Sequence, residues 1–218
     1  MPRDQKPRLP EELEPVEIDV LDDRVELAGV ELSGEFVGGR ADKVEVVESR
    51  FNRVRATGSE LRGLRLRDVV LEGCDLSGAI LEGAKFERVA FVDCRLSGAV
   101  LSAASLRHVT FSECRMDQVS LRMTTATGLR LHGCDLRACD LYSATMQDTE
   151  FLGCDLSGAD VTSARLGGSQ FHRSLLDGLS GVLALRDVVI DAEQAVVIAN
   201  ALLVEHGITV TDEPRGNR

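Results

Sequence analysis

From Phe51 to Phe171 every fifth residue of the chain is apolar. Phe51, Ala56, Leu61, Leu66 and Leu71 open a run of twenty-five such centres, of which only Ala56 and Ala126 are small. Two places before each centre stands a second, mostly smaller residue, as at Val69, Cys74, Ala79 and Ala84. The other three places are mostly polar, charged or glycine. An amphipathic helix would need apolar residues at i, i+3, i+4 and i+7, and a half-buried strand would alternate. Two positions in and three out suit a chain that turns a corner every five residues. Four corners close a square coil of twenty, and stacked coils pair through parallel main-chain hydrogen bonds about 4.8 Å apart.

That geometry explains a longer echo. LEGCDLSGAI (71–80), FVDCRLSGAV (91–100) and FLGCDLSGAD (151–160) are nearly the same ten letters, spaced by multiples of twenty. Residues twenty apart lie one above another. One face carries Phe51, Leu71, Phe91, Phe111, Leu131, Phe151 and Phe171. The next carries Leu76, Leu96, Met116, Leu136 and Leu156, preceded by Cys74, Cys94, Cys114, Cys134 and Cys154. Like stacks on like because equal cross-sections leave no voids, and each buried centre contributes ~1.5–3 kcal/mol. The five prolines stand at positions 2, 7, 10, 15 and 214. A ladder needs its N–H donors, so it is predicted to begin after Pro15, with ordered structure ending before Pro214.

CDLSG (74–78 and 154–158) and ADVTS (159–163) resemble the pentapeptide-repeat family, whose loose pattern is A-(D/N)-L-x-x. The resemblance covers residues 49 to 175. It implies an all-β solenoid, a right-handed quadrilateral parallel β-helix of about 20 residues per coil, with a C-terminal capping and dimerisation α-helix.

The ends are less regular. Residues 1–16, rich in Pro and Glu, are predicted to be a disordered tail. Residues 17–50 form irregular first coils. Leu27 and Leu32 keep the five-spacing, but one residue is missing between Leu32 and Phe36, which predicts a bulge or tightened corner near Gly34. The regular β-helix spans 51–190. Residues 191–210 hold a helix, about 192 to 206, and a short extension, and 211–218 are a second disordered tail. Asp191 and Gln194 have the spacing of a capping box, and Gly207 stands where a helix stops. Ala195, Ile198, Ala199 and Leu202 are predicted to lie on the last coil. Val196, Val197, Leu203 and Val204 then face outward, a patch best covered by the same patch of a second copy.

Charge changes the picture more than composition does. The net charge is -11, but residues 1–50 hold 14 acids and 7 bases, 51–175 hold 15 of each, and 176–218 hold 7 and 3. The acidity sits at the two ends. The fourth face leans basic, with Arg65, Arg67, Lys85, Arg88, Arg107 and Arg165. The start, MPRDQKPRLP, lacks the apolar core of a signal peptide, and no apolar run approaches the ~18 residues of a membrane span. A cytoplasmic protein without membrane contact is expected.

Candidate chemistry is sparse. The six cysteines form no CxxC, and their column reads as small buried thiols. His132 and His172 are two coils apart, ~10 Å, too far to share a metal; His108 and His206 have no evident partners. No GxSxG, HExxH or phosphate loop occurs. A filled prism offers no catalytic pocket, so a non-enzymatic protein with no cofactor and no metal is expected.

The family resemblance supplies a specific function. Its best-understood activity is binding DNA gyrase and related type II topoisomerases by resembling a DNA rod, with protection from quinolones. The mycobacterial members of this kind are similar in their uninterrupted solenoid, acidic total charge and C-terminal helix. That helix carries D-x-x-Q-A (here Asp191, Gln194, Ala195), ends in His206-Gly207, and in the family joins two protomers. A dense acidic row is absent here, however, and DNA presents one charge per ~1.7 Å of axis. Mimicry is therefore confined to the first coils (Asp22, Asp23, Glu26, Glu31, Glu35) and the C-terminal junction. The alternative is a rigid scaffold for another protein, contacted through Arg65, Arg88 and Arg107 on the fourth face. Direct nucleic-acid binding is disfavoured by the overall charge and the lack of exposed aromatics.

Overall fold

The computed structural model of the protein describes residues 5–211. Its chain winds into a parallel β-solenoid of about seven turns, about twenty residues each, closed by one C-terminal helix. The longest strands, β4 (Glu45–Asn52), β5 (Arg65–Glu72), β6 (Lys85–Val92) and β7 (Ser105–Ser112), stack in order and pair in parallel. The register is strict: Leu66 lies against Phe86 and Phe86 against Leu106, while Leu71 lies against Phe91 and Phe91 against Phe111. Two further faces are held by single bridges, such as Asp75 to Arg95 and Ile80 to Val100. Four ladders per turn make the section quadrilateral.

The corners explain why strands occupy two faces only. The residue two places after each centre has a positive φ: Gly58, Gly63, Asp68, Gly73, Gly78, Gly83 and onward. On the bridged faces the chain closes a turn there, Ala79 N–H donating to Leu76 O at 3.0 Å and Ala84 N–H to Leu81 O at 3.1 Å. The other corners bend inside a continuous strand. Glycine takes this left-handed conformation without penalty, which is why it recurs at that place. Where another residue stands there, as at Ala103 or Met123, the coil stack imposes the conformation.

The core is the column set read from the sequence. Phe91 and Phe111 stack with ring centroids 4.5 Å apart, and Phe151 and Phe171 with 4.7 Å. Those separations match the rise of one coil. Where Ala126 replaces a larger centre, the eight-residue strand splits. From that coil on, β8 (Thr125–Thr127) and β9 (Arg130–His132), then β10 (Thr145–Gln147) and β11 (Glu150–Leu152), take its place.

The N-terminal end departs from expectation at Pro15. Strand β1 (Glu14–Ile18) contains it, paired with β3 (Val30–Gly34). The ladder therefore begins before Pro15. The strand is at the sheet's edge, where one side of the backbone needs no partner. Residues 5–13, read as part of a tail, touch the solenoid: the Arg8 N–H donates to Asp68 Oδ1 at 3.2 Å and Arg130 donates to Gln5 Oε1 at 3.3 Å. Residues 1–4 and 212–218, including Pro214, lie outside the described residues. Strand β2 (Glu26–Ala28) and β3 both pair with β4. The missing residue sits at Gly34, as expected. Leu32 pairs with Phe51, nineteen on, while Glu35 pairs with Arg55, twenty on. Gly34 has φ +104°, and a Cβ there would meet Ile18 O at 2.4 Å.

Candidate interaction surface

Six thiols line the interior and none forms a disulfide. In the column from Cys74 to Cys154 each Sγ donates to two backbone carbonyls; Cys94, for instance, reaches Leu71 O at 3.4 Å and Val92 O at 3.3 Å. Only the protonated thiol can donate. Burial pushes the Cys139 thiol up to about 12. The column continues past the cysteines. Ser174 Oγ donates to Phe151 O, and Gln194 Nε2 donates to Phe171 O at 2.6 Å, both across the same interval of twenty-three residues. Cys154, Ser174 and Gln194 are thus successive occupants of one place, and Gln194 begins the helix.

Helix α1 (Gln194–Glu205) lies over the open end of the last coil. Gln194 is buried and its amide is fully used. Nε2 also donates to Ser174 O at 2.6 Å, and Oε1 accepts the Asp191 N–H at 2.7 Å. The last bond is half of the expected capping box. The other half is missing, because Asp191 turns to the coil below, accepting the Arg173 N–H at 2.6 Å and meeting His172 Nδ1 at 2.8 Å. Those two contacts hold its carboxyl below the usual carboxylate range. At the other end Glu205 accepts the N–H groups of Val182 and Leu183. Those two residues open the short 3₁₀ turn Val182–Ala184. Gly207 ends the helix at φ +69°, as expected.

These polar anchors rotate the helix from its expected setting. Ile198, Ala201 and Leu202 pack on the core, Val197 is half-buried, and Ala195 and Ala199 are exposed. Of the four residues expected to face outward, Val196 and Val204 do, at 67% and 74% exposure, whereas Leu203 is half-buried like Val197. Beneath the helix, the Leu176 and Gly178 N–H groups, which would bond a following coil, have no acceptor among the described residues.

The charged surface is largely spent on coil-to-coil pairing. Arg55 meets Glu35 at 2.6 Å, Arg62 meets Glu82 at 2.9 Å, Arg130 meets Glu150 at 3.2 Å and Arg107 pairs with Glu87. All are twenty residues apart. In-register stacking would otherwise set like charges side by side, which is destabilising. The equal counts of acid and base in 51–175 therefore describe a self-neutralised wall.

Arg88, a candidate contact, is not available. It is 18% exposed and grips Asp68 through Nε at 2.7 Å and a terminal nitrogen at 2.6 Å, while also meeting Glu87. Burial pushes the Asp68 carboxyl up, but the Arg88 and Arg8 hydrogen bonds outweigh it and hold the group low. Arg65 and Arg107 are exposed, Arg65 with Glu45 at 3.6 Å. Among the acids of the first coils, Glu35 is paired, Glu31 accepts from Asn52 at 3.3 Å, and Asp23 accepts the Asp42 N–H at 2.8 Å. Asp22 and Glu26 are exposed with no ion pair among the described residues.

A solenoid of this section, with an apolar centre every fifth residue and four parallel ladders, defines the class. Residues 64–123 and 84–161 match the model of the pentapeptide repeat region, so this stretch of the chain is built of pentapeptide repeats. Solved structures similar to it include the pentapeptide repeat protein HetL, involved in heterocyst differentiation regulation in the cyanobacterium Nostoc sp. strain PCC 7120. It is 19% identical, with 80% of this chain and 91% of that chain covered, and the TM-score is 0.32. Full-length QnrB1, a plasmid-mediated fluoroquinolone resistance protein, is 18% identical over 83% of this chain and 98% of that one, with a TM-score of 0.35. A pentapeptide repeat protein of the Arabidopsis thaliana thylakoid lumen is 21% identical over 58% and 72%, with a TM-score of 0.23. No curated protein matches the chain. No helix of the described residues is long and apolar enough to cross a membrane.

Proposed function

We propose that the protein is a non-enzymatic binding scaffold that works as a rod of two copies joined at their C-terminal ends. One observation carries the reading: α1 is apolar around most of its circumference, yet one side of it is left in water above an unfinished coil. Val196 and Val204, with Ile208 (50% exposed) and Val210 (74%) beyond the helix, form that apolar surface. The unpaired amides of Leu176 and Gly178 lie beside it. An isologous contact covers the same patch on both chains at once. The N-terminal end favours no such contact, since its edge strand carries Pro15 and the exposed acids Glu14 and Glu17, devices that blunt an edge. Two stacks of about seven coils at ~4.8 Å, with their caps, give a rod of roughly 70–80 Å.

The rod's more specific form, carried by family resemblance, is a modulator of DNA gyrase. The self-neutralised coils limit DNA mimicry to the N-terminal tips and the central junction. Light scattering tests the assembly: a dimer is expected at tens of micromolar, and Val196→Asp with Val204→Asp is expected to yield a folded monomer. A wild type that is already monomeric would overturn it. A gyrase supercoiling assay tests the partner, and neither inhibition nor quinolone protection at micromolar protein would remove that form of the reading.

A further inference from the structure

Strands β4, β5, β6 and β7 present two rows of side chains outward on the fourth face. One row is Glu45, Arg65, Lys85, Ser105 and the other is Arg67, Glu87, Arg107, in ladder register one coil apart. They line a shallow trough whose floor is backbone over Leu66 and Phe86. Arg65, Arg67, Lys85 and Arg107 are exposed, and Arg67 and Lys85 have no ion pair among the described residues. Four cations face two carboxylates, an excess of +2 on a chain of net charge -11.

This arrangement differs from the opposite-charge pairs Arg55–Glu35, Arg62–Glu82 and Arg130–Glu150. Arg65 lies directly beside Lys85 in the ladder, with Arg67 two residues away on the same face, and like charges so placed cost stability. A second stacked pair of cations, Arg95 and Arg115, is neutralised by Asp75 below and Asp135 above in its own column. The Arg65–Lys85 pair has Glu45 on one side and only Ser105 on the other. A cluster of four cations facing two carboxylates is complementary to an incoming anion. Arg65 and Arg67 stand two residues apart along a strand, about 6.6 Å, the same repeat at which an extended chain shows side chains on one side.

We propose that this trough docks an extended acidic protein segment bearing carboxylates two residues apart. The proposal rests on the reading of the protein as a binding scaffold and gives that scaffold a lateral contact separate from its C-terminal end. Arg65, Arg67 and Lys85 pair with the segment's carboxylates, and Arg107 stays with Glu87 at the rim. The chain's overall negative charge and the absence of exposed aromatic side chains in the trough, where Phe86 is buried, disfavour a nucleic acid, which would need stacking platforms or a broader basic surface.

The probe is a fluorescein-labelled peptide of alternating Glu and Ala, followed by anisotropy at about 50 mM salt, where screening is weak. Saturable binding is expected, weakened at least tenfold by Arg67→Glu with Lys85→Glu and unchanged by Arg165→Glu, three coils further along the face. Lys85→Glu alone is expected to raise the urea midpoint, because it relieves Arg65; a lowered midpoint would refute the electrostatic premise. No saturable binding at millimolar peptide, equal loss with Arg165→Glu, or preference of the same residues for a DNA oligonucleotide would each overturn the proposal. Light scattering of the same variants reads the dimer independently, so failure of the trough and failure of the rod are told apart.

Discussion

Gln194 is the most consequential single residue at the C-terminal end. Its amide bonds the Phe171 and Ser174 carbonyls, each at 2.6 Å, and the Asp191 N–H at 2.7 Å. Gln194→Ala orphans all three. A buried group left unpaired costs about 1–3 kcal/mol, and water enters part of the site because it lies at the end of the stack. A net loss of about 2–4 kcal/mol follows. Neighbouring coils support only one another, so the loss is local and is read by native-state hydrogen exchange. Amides of Phe171, Leu175 and Ser180 are expected to exchange ~30- to ~1,000-fold faster, at one decade per 1.36 kcal/mol, while those of β5 and β6 stay unchanged. Gln194→Glu sharpens the test. At neutral pH it points a carboxylate at two carbonyl oxygens and is expected to be worse than Ala. Its pKa is raised in the fold. The variant's stability is therefore fullest below the unfolded value near ~4.3 and is lost as pH rises through the folded value. Exchange equal to wild type in Gln194→Ala, or a Gln194→Glu variant that outlasts it at pH 7, would refute the capping role.

Ala126→Leu is expected to be tolerated or stabilising, since Ala126 is a reduced centre where the long strand splits, whereas Leu136→Ala costs ~2–5 kcal/mol; equal loss in urea melts would show the columns to be misassigned. Cys94, Cys114 and Cys134 are expected to resist alkylation in the native protein and react after unfolding, and mass spectrometry showing rapid native labelling would refute the inward register. The Asp68–Arg88 pair gives a pH signature. Asp68 titrates below its ordinary value of 3.8 in the fold, so its contribution is present above that value and lost as pH falls through the folded one. Asp68→Asn is expected to flatten that acid limb of the urea midpoint against pH, and an unchanged slope would count against the pair.

Much of this was legible because the solenoid converts spacing into contact. The columns, the shortened corner at Gly34 and the stop at Gly207 follow from a period of five and from where glycine stands. The coil-to-coil charge pairs were legible too, as opposite signs twenty apart. Even Gln194 is Ser174 plus twenty, one more place in the thiol column. The rotation of α1 was not legible, because hydropathy ranks Ala195 and Ala199 above two polar residues. Gln194 and Glu205 set the rotation by bonding backbone groups that only the finished coil leaves unpaired. Pro15 misled because a rule for interior strands was applied to an edge. Arg88 misled because its partner, Asp68, is twenty residues away and buried.

The fixed ladder register also makes length a quantised property of this chain. Removing residues 91–110 takes out one whole turn and leaves every later side chain on its own face. Removing five residues instead turns everything downstream by a quarter. Across the junction the phenylalanine column then sits over the column of Leu66 and Phe86, and an arginine there meets a stranger rather than its carboxylate. Insertions and deletions in a lineage of such proteins are accordingly expected to accumulate in steps of twenty within the wall, with single-residue changes confined to the ends, as at Gly34.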